Sequence, residues 1–311
     1  MPFHHIQGRD IELFHVLNPD PRDLVFATEP SQLPSRPFKP DLPTLVLVHA
    51  SASDVLHWNR QFSDERLMEH FNLFGIDCIN NGWTRGPEKA DGLRLEDSAD
   101  FLVSVLDAMN FPSYHLLGEA VHGCNLATWI AVKRADKVKS LTLASPGFRE
   151  EPPDVYDALV QVRDALLANK VGQGGDDTGE FPEEPLSDIV AYFIGGLDRL
   201  ADARAEMRAR FQARYGTGRP LNDVLWLFNA AVMERRKIPD ELLAAVTMPV
   251  LLLRGSEDNI VSPERACEEW RRAFSGAAVT SQTIASAPSL LSLSDANIVD
   301  RIVAPFCLRA L

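Results

Sequence analysis

Groups able to move a proton or attack a carbon stand out in three short runs of this chain. Leu116-Leu117-Gly118-Glu119-Ala120-Val121-His122-Gly123 joins an apolar stretch of strand length to an amphipathic one, and its glycines permit a tight turn. The crest of that turn is Ala120, which carries no nucleophilic atom. Arg254-Gly255-Ser256-Glu257-Asp258 ends a second apolar run on a carboxylate, and Ala287-Pro288-Ser289-Leu290 sets a hydroxyl after a third. Imidazoles at His49 and His122 and the thiol of Cys124 complete the set. All eight histidines lie at or before His122, so no imidazole follows the later strands.

The elements that must position these groups follow from periodicity. Thr44–Val48 reads as a buried strand after a proline-rich approach (Pro34, Pro37, Pro40, Pro43), and Phe71–Ile79 as the next, ending at Asn80-Asn81-Gly82. Leu95–Met109 is predicted helical, with Leu95, Ala99, Leu102, Val105, Leu106 and Met109 on one face. Strand Tyr114–Leu117, helix Asn125–Arg134, strand Val138–Ala144, strands Pro249–Leu253 and Val279–Ile284, and helices at about 263–274 and 295–309 follow. This alternation predicts an α/β protein, a mostly parallel sheet with helices on both faces. Between about 149 and 245 the rhythm breaks. Helical stretches at Asp154–Ala168, Asp188–Ala213 and Asn222–Arg236 flank an exposed loop over Lys170–Pro185. A helical block inserted between two strands of one sheet is most simply a cap or lid over the strands' carboxyl ends, where open parallel sheets bind ligands. The expected division is a core of residues 1–148 and 246–311 with a cap/lid of 149–245.

Composition narrows the function classes. A chain of 311 residues can bury a full core, and its net charge of −13 argues against nucleic acid or an anionic membrane as partner. No run reaches membrane-spanning length and the N-terminus lacks the apolar core of a signal peptide. Cys78, Cys124, Cys267 and Cys307 show no CxxC spacing, so neither a zinc site nor a disulfide framework is indicated. The expectation is a cytosolic protein with reduced thiols, no metal and no cofactor, whose partner is a small molecule.

From about residue 40 to the C-terminus the chain resembles α/β-hydrolase-fold proteins of the epoxide hydrolase, haloperoxidase and C–C hydrolase group. Leu45-Val46-Leu47-Val48-His49-Ala50-Ser51 is similar to the strand end that builds half of an oxyanion hole, with Ala50 for the usual glycine. His57-Trp58 follows where that group often has a tryptophan. Phe74-Gly75-Ile76-Asp77 and the Gly82…Gly86 stretch match a strand and its glycine-rich turn. Val250-Leu251-Leu252-Leu253-Arg254-Gly255-Ser256-Glu257-Asp258-Asn259-Ile260-Val261-Ser262-Pro263 matches the strand and loop that supply an acidic triad member.

The resemblance implies a nucleophile in Gly-x-Nuc-x-Gly on a strand-to-helix turn, with the next backbone N–H donating to the developing oxyanion. Ala120 stands in that nucleophile slot, and His122 takes the second glycine's slot with Gly123 following. Asp258 is the acid. Ser289 stands where the family's phrase carries the histidine base. Serine-hydrolase chemistry is thereby closed, and the oxyanion donors would be the N–H groups of Ser51 and Val121. His122 reads either as a relocated acid/base or, preferably, as a residue packing the first helical turn. His49 reads as support for the strand end rather than a substrate contact, and Glu119 as structural. Asp258 and Ser289 form either a carboxylate-assisted hydroxyl pair or a vestige. Trp58, and Trp226 with Phe228 and Tyr192 in the lid, are candidates to line an apolar pocket.

Three functions fit. The preferred one is non-hydrolytic catalysis, of lyase, isomerase or cyclase type, on a small and mostly apolar carbonyl-containing metabolite. The second is a catalytically dead pseudo-hydrolase that binds a small ligand, and the third a true serine hydrolase whose triad was altered on purpose.

Overall fold

The computed structural model describes residues 3–24, 29–51, 53–86, 93–157, 160–161, 163–164, 183–195, 198–215, 234–258 and 263–311. Eight strands form one sheet: β1 Phe3–His5, β2 Glu12–Leu17, β3 Thr44–Val48, β4 Asn72–Ile76, β5 Tyr114–Glu119, β6 Val138–Ala144, β7 Val250–Gly255 and β8 Val279–Ile284. Their order is β1-β2-β4-β3-β5-β6-β7-β8. The β1/β2 and β2/β4 pairs are antiparallel, and every later pair is parallel.

The central strands are buried along almost their whole length because both of their faces are covered. Every residue of β3 is buried, and its pleat sends Val46 and Val48 into one core cluster and Leu45 and Leu47 into the other. Helices α1 (Leu95–Ala108), α2 (Ala120–Lys133) and α5 (Pro263–Ala273) contribute to the first cluster, and α6 (Ala296–Leu308) to the second. β8, at the edge, is polar and largely exposed over Thr280, Ser281 and Gln282. That composition disfavours further strand pairing there.

The chain leaves β3 toward β4 on one side and leaves β5 toward β6 on the other. The crevice beyond the carboxyl ends of β3 and β5 is therefore the topological switch point, where ligands bind in open sheets of this kind. Ala50-Ser51 and Glu119-Ala120 stand at its two sides.

The expected mostly parallel sheet with helices on both faces is present, and the differences are local. β1 and β2 were not expected, because their alternation is short and interrupted by Gly8 and Asp10. α2 begins at Ala120, five residues ahead of the expected Asn125, since the turn itself forms its first helical turn. The single helix expected over Asp188–Ala213 is two, α3 (Glu183–Ile194) and α4 (Ala201–Tyr215), broken at Gly195 with φ +72°. Residues 183–185, expected in a loop, open α3, whose first turn tolerates Pro185. The stretch expected at Asp154–Ala168 is helical at 153–157, 160–161 and 163–164, and its remaining residues lie outside the described ones. Residues 170–182 and 222–233, with Trp226 and Phe228, also lie outside the described residues, while 234–236 are not helical.

Candidate active site

Two glycines shape the turn between β5 and α2. A Cβ on Gly118 would sit 2.4 Å from the Gly123 carbonyl oxygen, and one on Gly123 would sit 2.4 Å from that of Val48 and 2.7 Å from that of His49. The start of α2 thus presses directly on the end of β3, and it is Gly123, not position 122, that permits the approach. Ala120 is held at φ +55°, a left-handed conformation that costs a residue with a Cβ about 1–2 kcal/mol. A strained left-handed turn is therefore present with a methyl group on its crest. Val121 falls in the first turn of α2, where backbone N–H groups have no acceptor within the helix.

The end of β3 is fastened by His49. Its Nε2 accepts from the Cys78 N–H at 3.0 Å, which leaves the proton on Nδ1 to donate to the Ala50 carbonyl at 2.7 Å. Complete burial pushes its pKa down to about 4. Both ring nitrogens serve the backbone, so His49 braces the end of β3 and has no proton to exchange with a ligand. His122 is also buried, and burial, with smaller effects from His49 and Arg235, pushes it down to about 3. Arg235 beside it donates to the Phe148 carbonyl at 3.0 Å and pairs with Glu151 at 2.7 Å. Cys124 donates toward the carbonyls of Gly118 and Ala144, and burial raises its thiol pKa far above the ordinary value. It is an inert core thiol.

Asp258 and Ser289 are brought together by two stitched loops. Glu257 N–H donates to the Ala287 carbonyl and Ser256 N–H to that of Ile284, both at 2.9 Å. A Cβ on Gly255 would lie 2.0 Å from the Ala287 oxygen, so that strand end admits only glycine. The Ser289 hydroxyl donates to Asp258 Oδ1 at 2.5 Å. Trp58 is fully buried within the core cluster that includes Phe14, Leu45 and Phe62.

A further pair in this region escaped the sequence. Glu119, fully buried, accepts the Ser292 N–H on Oε1 at 2.7 Å and contacts His57 Nε2 through Oε2. His57 is 3% exposed and sits on the turn Val55–Trp58. Asp54 caps that turn by accepting from the Leu56 N–H at 2.9 Å, and Asp77 accepts from the Val55 N–H at 2.6 Å. The two partners are 62 positions apart and belong to different elements, so no local spacing announces them.

Of the side chains described above, only His57 lines a small cavity of about 20 Å³, together with Ala50, Ser51, Phe193, Met207, Arg210 and Leu290 among others. That is room for one water-sized group. Ala120 belongs to the apolar cluster around it, with Ala50, Leu290 and Leu293 from the core and Ile194, Leu200 and Ala203 from the insertion. α4 is tied to the turn carrying His57 through Glu206, which accepts from Asn59 at 3.2 Å and from Arg60 at 2.7 Å. His49, His122 and Trp58 are not among the residues lining this cavity.

A family model described as alpha/beta hydrolase fold matches residues 43–287. The probable lysophospholipase BODYGUARD 2 of Arabidopsis thaliana is 27% identical over 126 residues, which is 39% of this chain and 26% of that protein. The chain thus spans about a quarter of the length of the curated relatives it matches. The enol-lactonase from Burkholderia xenovorans has a TM-score of 0.72 at 16% identity, covering 99% of this chain and 100% of that one. Carboxylesterase CesB from Bacillus subtilis has a TM-score of 0.67 at 15% identity, covering 98% and 90%. At these identities the likeness carries the fold and nothing finer.

Proposed function

The chain belongs to the α/β-hydrolase fold family, and within it we propose an enzyme that acts non-hydrolytically on a small, mostly apolar carbonyl compound. The observation that carries this reading is Ala120 at φ +55°, held in a turn whose close approaches at Gly118 and Gly123 are intact. A covalent acyl-enzyme needs a nucleophile, and this position has none. Without one, the useful parts of the frame are donors to a carbonyl oxygen, the N–H groups of Ser51 and Val121. Each such donor is worth on the order of 10²–10³ in rate in a water-excluded pocket. That suffices for a proton shift, elimination or cyclisation that is feasible on its own, and falls short of cleaving an unactivated amide. Residues 149–245 act as the lid over this pocket, its partner is a small molecule, and the protein works in the cytosol. No described helix is long and apolar enough to cross a membrane.

The test is incubation in deuterium oxide with simple ketones and β-keto esters, with exchange at the carbon next to the carbonyl followed by NMR. Enzyme-dependent exchange or a rearranged product supports the reading. Ester cleavage by the unaltered protein, or a complete absence of turnover, overturns it. The second reading, ligand binding without turnover, is favoured by the apolar cluster that Ile194, Leu200 and Ala203 form with Ala50 and Ala120. It predicts ligand-dependent thermal stabilisation with no exchange.

A further inference from the structure

We propose that His57, oriented by Glu119, is the acid/base group of this pocket, a proton-transferring pair built outside the degenerate triad and acting on the carbon next to a carbonyl. The proposal rests on the enzymatic reading above and adds the group that does the chemistry.

A carboxylate with no exposure is costly unless its lone pairs are satisfied by charge or hydrogen bonds. Glu119 meets that need with two partners, the Ser292 N–H and the His57 imidazole. The arrangement on His57 is that of a catalytic imidazole and its supporting acid. One ring nitrogen is tied to a buried carboxylate, which sets the tautomer, orients the ring and would stabilise the imidazolium. With Nε2 donating to Glu119, Nδ1 is the acceptor, and it has no hydrogen bond among the described residues.

Position separates His57 from the other imidazoles of the region. His49 has both nitrogens committed to backbone, and His122 does not line the cavity. His57 lines it together with Ser51, the residue of the oxyanion strand, and with Leu290, the neighbour of Ser289. His57 and Ser51 therefore line one space, which a ligand larger than one water must widen. Ala120 and Ala50 present only methyl groups to the same apolar cluster. Nothing nucleophilic on the turn competes for a carbonyl carbon held there.

The step balances without any co-reactant. The Nδ1 lone pair takes a proton from the carbon next to the carbonyl. The C–H electron pair becomes the carbon–carbon π bond of an enolate, and the carbonyl π pair moves onto oxygen, where N–H groups receive it. The imidazolium then swaps its Nδ1 proton for a solvent deuteron and delivers that to the same carbon, which gives exchange, or returns a proton to a conjugated carbon, which gives an isomer. His57 is the catalytic residue, and Glu119 a positioning residue that acts through it.

Two measurements on the full chain test the pair. In deuterium oxide, His57→Gln is expected to lower exchange on phenylacetone by about a hundredfold or more, the scale of general-base catalysis. Glu119→Gln is expected to lower kcat with KM unchanged, a split that a merely structural role would not give. Independently, a bromomethyl ketone should alkylate the wild-type protein at His57 Nδ1, with bromide as leaving group, and peptide mass spectrometry locates the adduct. Exchange that survives at the wild-type rate in folded His57→Gln overturns the proposal, as does the absence of an adduct at His57. Labelling of His57 in a protein that exchanges no probe leaves the site assignment standing and removes the enzymatic reading instead.

Discussion

Ser289 donates its hydroxyl proton to Asp258 at 2.5 Å, and the serine is fully buried. The carboxylate is engaged by a short hydroxyl-bearing side chain from the neighbouring loop. Acid and hydroxyl are held together by two loops locked by Gly255 and the Ala287 carbonyl.

Restoring one triad member is expected to leave the protein without esterase activity, because nucleophile and base act as a unit. Ala120→Ser should cleave p-nitrophenyl acetate no faster than the unaltered chain. Ala120→Ser combined with Ser289→His should exceed the single variant by about a hundredfold or more, the contribution of a positioned base. Release of p-nitrophenolate, followed spectrophotometrically, checks both. A fast Ala120→Ser single variant would show that another base already serves the turn.

Gly123→Ala tests the seat of α2 on β3. Its Cβ would lie 2.4 Å from a backbone oxygen, which cannot move as a side-chain end can. The expected cost is about 3 kcal/mol, the upper part of the range for overpacking. Urea titration with fluorescence detection would read it, and an unchanged midpoint would contradict the close approach.

Acid should destabilise the fold through its buried histidines. His15, His49 and His115 are pushed down to about 4 and His122 to about 3 by burial, from an ordinary 6.5. The unfolded chain binds these protons first, so stability is present above pH 6.5 and is lost as pH falls toward about 4. Asp300 works in the opposite sense. Burial raises it to about 7 from 3.8, so its contribution is complete below pH 3.8 and is lost as pH rises through about 7. Asp300→Asn removes that gain on acidification, and its thermal midpoint should fall more steeply than wild type below pH 7. Parallel melting curves across the pH series would refute the assignment.

Glu151→Ala is expected to cost about 3 kcal/mol, because it strands the buried Arg235 guanidinium. The two side chains are 6% and 1% exposed and 2.7 Å apart, and burial lowers the Arg235 pKa even with its partner present. Thermal denaturation by circular dichroism measures the loss. A change under half that size would mean that water or a neighbouring acceptor replaces the carboxylate.

The resemblance of the runs at Val46–Ser51, Gly118–Gly123 and Val250–Asp258 was legible because each is a strand and the turn that ends it, with chemistry set by adjacent residues. An apolar run covered on both sides has no other stable home than the middle of a parallel sheet. Ala120 and Ser289 could be read as missing reactive atoms from residue identity alone, and the lack of any histidine after His122 needed only counting. Where α3 ends was not legible, since Gly195 punctuates a segment whose periodicity continues beyond it. The roles of the imidazoles were less legible still. His49 follows a strand, His57 sits in a short turn and His122 opens a helix, and what separates their roles is which atoms the folded chain brings to each ring. The backbone holds both nitrogens of His49, burial leaves His122 without access to the small cavity, and Glu119 reaches His57 from across the switch point. The chain's own order determined the family frame and the alanine at position 120, because those are properties of contiguous residues. Only the tertiary structure decided which histidine stands on a carboxylate and faces the pocket, because that depends on contacts between strands and turns far apart along the chain.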